Sequence, residues 1–159
     1  MIAQDATTEL ATHPVVGLWQ FNGALDPAQG PSPGFEIYHG DGTYTSWGGS
    51  TAGGAQGIWR PSGARTAEVL FIWVDTNPFP SEDEDRGTAT FRHTVEIDEA
   101  NTTMAYVDGT IDVRDPYGTL LFPAGPSEAP TSTRVTFDVN PMTGSTVTDA
   151  TPEAATPGS

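Results

Sequence analysis

The chain has 159 residues, 21 of them acidic and six basic, for a formal net charge of −15, and it contains no cysteine. That length suits one domain around one core. The charge argues against nucleic acid or an anionic membrane surface as partner, and the missing cysteine excludes disulfides and thiol chemistry.

Residues 1–13 are polar and lack periodicity, which reads as a flexible lead-in. The start, Met1-Ile2-Ala3-Gln4-Asp5-Ala6-Thr7-Thr8, has the look of what remains after signal cleavage, so a secreted or cell-surface location is expected. No apolar run approaches the ~18 residues of a membrane-spanning helix, and no membrane insertion is expected. A first strand is predicted from Val15 to Phe21. Phe35–His39 and Thr43–Trp47 then flank Gly40-Asp41-Gly42 as a hairpin, with Phe35, Ile37 and His39 on one face. A Gly/Ser/Thr/Ala loop leads to a strand over Ala55–Arg60, turned by Pro61-Ser62-Gly63. Glu68–Val74 is apolar on both faces, as in a strand that is covered on both sides or packs against a neighbour outside the barrel, and which face is inward stays open.

After a loop containing the acidic run Ser81–Asp85 comes the clearest alternation. Ala89, Phe91, His93, Val95 and Ile97 share one face, and Thr90, Arg92, Thr94, Glu96 and Asp98 the other. Beyond Ala100-Asn101, the next inward face is predicted as Thr103, Ala105, Val107, Gly109, Ile111 and Val113. Asp115-Pro116-Tyr117-Gly118 has the residues of a type I turn. Thr119–Phe122 returns, and Arg134–Val139 closes with Val135, Phe137 and Val139 inward, which turns Arg134 outward. The Ala/Thr/Pro-rich residues 141–159 read as a disordered tail. About eight sequential strands without a convincing helix predict an all-β fold: an antiparallel, up-and-down β-barrel over residues 14–140 with flexible termini. A barrel of that size holds side chains or one small ligand.

The run His13-Pro14-Val15-Val16-Gly17-Leu18-Trp19 resembles the opening of lipocalin-like, or calycin, proteins, whose first strand begins Gly-x-Trp. The resemblance implies that Trp19 plugs the closed end and that a late-strand basic residue packs over it, with Arg134 the best candidate. Phe35–Tyr44 and Gly57-Ile58-Trp59 also resemble small bacterial lipocalin-like proteins. Allene-oxide-cyclase-like barrels are similar in outline. Nitrobindin-like haem barrels share a stretch like Gly57-Ile58-Trp59-Arg60-Pro61, but no histidine can be placed as their haem ligand, and no cofactor is expected.

His93, on an apolar face, suits a polar handle for a ligand, a general base, or a core histidine bonded to a neighbour. His39 falls at a strand end, on the rim, and His13 at the domain edge. No His-x-His spacing exists, and the acidic run lacks a calcium-loop pattern, so no metal is expected. Trp47, Trp59 and Trp73, with Phe71, Phe91, Tyr106 and Phe137, form a candidate ligand wall whose alternative is core filling. Trp19 is structural. Asp108 and Asp112 alternate outward, and no nucleophile motif or phosphate loop is present. These residues point to binding of a small apolar or aromatic molecule. Two alternatives remain open: a cyclase or isomerase with His93 as acid or base, and an extracellular interaction module. In the last, Val69–Val74 would mark a subunit contact in a homo-oligomer.

Overall fold

The computed structural model describes residues 9–23, 32–48, 54–76, 87–126 and 131–136. The chain forms β1 (Gly17–Gly23), β2 (Ser32–Tyr38), β3 (Thr43–Gly48), β4 (Gly54–Pro61), β5 (Thr66–Thr76), β6 (Gly87–Ile97), β7 (Thr103–Arg114), β8 (Leu120–Pro126) and β9 (Ser132–Arg134). Each of β1 to β7 pairs antiparallel with the next in sequence, and β9 bridges β7 back to β1. β8 and β9 lie in one register along β7. Pro126 faces Thr110 and Ser132 faces Met104, a spacing of six residues on both strands. They act as two halves of an eighth strand, so the fold is a closed, eight-stranded, up-and-down barrel. Closure removes the exposed edges that an open sheet would present. Phe137 and the tail at 141–159 lie outside the described residues.

β6 follows its sequence alternation: Ala89, Phe91, His93, Val95 and Ile97 are buried. On β5, Val69, Phe71 and Trp73 point inward, while Ile72 and Val74 are 44% and 56% exposed. The chain itself therefore covers one face of β5, with Val69, Phe71 and Trp73 inward, and leaves Ile72 and Val74 on the outer face.

Three other strands depart from the sequence reading. β2 has the opposite facing, with Glu36 and Tyr38 buried and Phe35 and Ile37 on the outer face. Register sets Phe35 opposite Trp47, and their rings meet outside the barrel at 5.9 Å. β7 carries a bulge: Thr94 pairs with Asp108 but Val95 pairs with Tyr106, leaving Val107 as the extra residue. The bulge shifts the inward phase, so Met104 and Tyr106 replace Thr103, Ala105 and Val107, whereas Gly109, Ile111 and Val113 keep the predicted facing. The closing strand comes earlier than expected and is short. Its Ser132 is buried, and Arg134 pairs opposite Trp19.

One end of the barrel is shut by residues 9–16. A helical turn over 9–12 leads into buried His13, whose Nε2 lies 3.0 Å from the Gly63 carbonyl, and into fully buried Val15. Trp19 donates Nε1–H to the Val15 carbonyl at 2.8 Å. The Arg134 guanidinium lies 4.1 Å above the Trp19 ring. It also donates to the carbonyls of Pro14, Val16 and Asn101. Gly17 has φ +141°, and a Cβ there would come 2.6 Å from Arg134 Nη1. The Gly-x-Trp spacing thus has a local cause: the glycine makes room for the cation that covers the tryptophan.

Candidate functional site

The inner wall is built from cross-strand rows. One runs Tyr38, Tyr44, Gly57, Phe71, Phe91, Ile111 across β2 to β7. With Gly57 between them, the Tyr44 and Phe71 rings stack at 4.9 Å, and Phe71 stacks on Phe91 at 4.7 Å. A neighbouring row runs Trp59, Val69, His93, Gly109. His93 is buried in an aromatic box. Its ring meets Phe71 at 5.7 Å, Phe91 at 5.6 Å and Tyr106 at 4.8 Å, each edge to face. Gly109 supplies the space for it, because a Cβ there would lie 2.2 Å from His93 Cδ2.

Neither ring nitrogen of His93 has a hydrogen-bond partner among the described residues. Burial holds the imidazole down at about 4, against a smaller opposing pull from the Asp108 carboxylate. At neutral pH it therefore offers one donor and one acceptor.

One tyrosine away from His93 sits a group that the sequence reading missed. Glu36 is fully buried and accepts from four hydroxyls: Ser132 at 2.5 Å, Tyr106 at 2.6 Å, Tyr44 at 3.1 Å and Tyr38 at 3.4 Å. Burial pushes its carboxyl up, and the four hydroxyls pull it back. The three phenols are raised well above their ordinary range, by burial first and the Glu36 charge second. Tyr106 joins the two features, with its hydroxyl on Glu36 and its ring on His93.

The other candidates divide by position. Trp59 is tied to the closed end, donating to the His39 carbonyl at 2.8 Å and packing near His13. Trp73 is inward beside Phe91, and its Nε1 lacks a partner among the described residues. Small Ala55 and Ala89 flank it in its cross-strand row, which continues to Ser46 and Glu36 on one side and to Val113 on the other. Two candidates do not join the inner wall. Trp47 is 42% exposed on the outer face, and His39 is half-buried just past β2, its Nε2 3.4 Å from Thr45 Oγ1.

A groove of about 530 Å³ lies on the outer side of β4 to β7. Ile58, Leu70, Arg92 and Thr94 border it, and Arg60 pairs with Glu68 across it. Its floor is the row Trp59, Val69, His93, Gly109, whose side chains belong to the interior. Among the described residues, no three His, Asp or Glu side chains are grouped to hold a metal ion.

No protein-family model matches the chain, and no curated protein or solved structure matches it.

Proposed function

We propose that the barrel takes up a small apolar or aromatic molecule and that His93 orients it. The fold is compatible with such binding. The observation that carries the reading is a buried histidine, walled by Phe71, Phe91 and Tyr106, with both ring nitrogens unpartnered among the described residues. A buried polar atom without a partner costs about 1–3 kcal/mol, and such a group in a folded protein calls for an explanation. A ligand that bonds the imidazole and packs on the aromatic box supplies one. Trp73, flanked by Ala55 and Ala89 and with no partner for its indole N–H among the described residues, extends the same wall. A calycin-type kinship belongs to this proposal, supported by Arg134 lying over the Trp19 that follows Gly17.

The test is a titration of the full chain with environment-sensitive apolar dyes and aromatic alcohols, followed by tryptophan fluorescence. Saturable quenching near one equivalent is expected, weakened at least tenfold in His93→Phe. Absence of binding by every probe would overturn the reading and leave a barrel filled by its own side chains.

A further inference from the structure

Glu36 and His93 stand on either side of Tyr106, so whatever bonds His93 does so one tyrosine away from a carboxyl group. Among the described residues, the interior offers no uncommitted cation to balance an incoming negative charge. Among the described residues, the cation that faces inward is Arg134, and it is committed to Trp19 and three backbone carbonyls at the closed end. Arg60, Arg92 and Arg114 are exposed on the outside, and Arg65 is bonded to the Ile97 carbonyl and the Asn101 side chain in the turns. The chain as a whole carries −15.

Hydrogen-bond matching points the same way. A neutral imidazole presents an N–H on one side and a bare nitrogen on the other. A hydroxyl or primary amide can donate or accept and so suits either tautomer. A carboxylate only accepts, so it can meet the N–H side of the ring and not the bare-nitrogen side.

We infer that the site beside His93 selects uncharged ligands with a hydroxyl or amide head on an apolar or aromatic body, and that Glu36 is the positioning residue that turns carboxylates away. This rests on the ligand-binding reading above. Glu36 acts through Tyr106, which it holds by a 2.6 Å hydrogen bond.

The experiment uses one skeleton with three heads: 2-naphthalenemethanol, 2-naphthamide and 2-naphthoate, titrated at pH 7 into the full chain. The alcohol and amide are expected to bind at least tenfold more tightly than the carboxylate. In Glu36→Gln, which keeps the size of the group and an acceptor oxygen, the gap is expected to close by several-fold. A carboxylate that binds as tightly as the alcohol, with or without proton uptake, overturns the inference and leaves ligand binding standing. If apolar dyes saturate but none of the three naphthyl compounds binds, the inference alone fails. If neither class binds, the reading beneath it fails. The wild-type series decides the matter even where Glu36→Gln does not fold.

Discussion

The His93 imidazole occupies the space that a side chain at Gly109 would fill, since a Cβ at that position would lie 2.2 Å from His93 Cδ2. The two residues face each other in register across β6 and β7. Placing the ring and omitting the side chain are therefore one structural decision. Gly109→Ala is expected to push His93 out of the aromatic box. The cost is about 1–3 kcal/mol in urea denaturation, the usual range for overpacking a filled core. Dye binding should be lost with it. An alanine variant that keeps wild-type stability and binding would show that the ring does not need this space.

His93→Leu should separate stability from binding. Removing two buried nitrogens that have no partner among the described residues is expected to raise stability by about 1–2 kcal/mol, while ligand binding falls at least tenfold. Loss of stability in the ligand-free variant would mean that the imidazole is already bonded.

The same histidine sets part of the acid response. It is held at about 4 against an ordinary 6.5, so the unfolded chain binds a proton over a range where the folded protein does not. Its contribution to stability therefore falls as pH drops from 6.5 towards 4, by up to about 3 kcal/mol. Glu36 works in the opposite direction, because its raised carboxyl contributes stability at low pH that is lost as pH rises through its folded value. Stability of wild type minus His93→Leu, measured from pH 4 to 7, should rise with pH. A flat difference would place His93 in contact with solvent.

At Glu36, loss of the acceptor matters more than loss of the charge. Glu36→Ala leaves Ser132, Tyr106, Tyr44 and Tyr38 without their shared acceptor inside the barrel. A loss of about 3–5 kcal/mol is expected. Glu36→Gln retains one acceptor oxygen and should cost less than half as much. Equal losses for the two substitutions would show that the charge itself holds the cluster.

Arg134→Lys tests the closed end. An ammonium cannot reach three carbonyls and still lie flat on Trp19, so a loss of about 2 kcal/mol is expected. Gly17→Ala should act in the same direction, because its methyl group would strike Arg134 Nη1. Thermal melts of both variants, with Trp19 fluorescence as the local reporter, would show the effect. A neutral Arg134→Lys would reduce the cation to a surface charge.

Some of this was legible in the sequence and some could not be. The strict alternation of Ala89 to Ile97 gave the facing of β6 and the inward position of His93, because one face is apolar and the other polar without exception. β2 offers no such contrast. Phe35 and Ile37 look like core, yet their aromatic partner Trp47 sits outside with them. Glu36 reads as a solvent-facing acid until its partners are known, and two of these, Tyr106 and Ser132, lie 70 and 96 residues away. Val107 hides for a different reason. A one-residue bulge leaves each half of β7 regular, so a single phase fitted through both halves turns Met104 and Tyr106 the wrong way. Trp19 and its cover were visible as a motif, but the inward turn of Arg134 depends on a three-residue strand too short to show a period.

The most direct test of the account is a ¹⁵N NMR titration of the three histidine rings with 2-naphthalenemethanol at pH 7. The expected result is that the His93 ring signals move and saturate at one equivalent, with those of His13 and His39 unchanged. Saturable binding that leaves His93 unmoved, or that moves His39 instead, would contradict a ligand site inside the barrel.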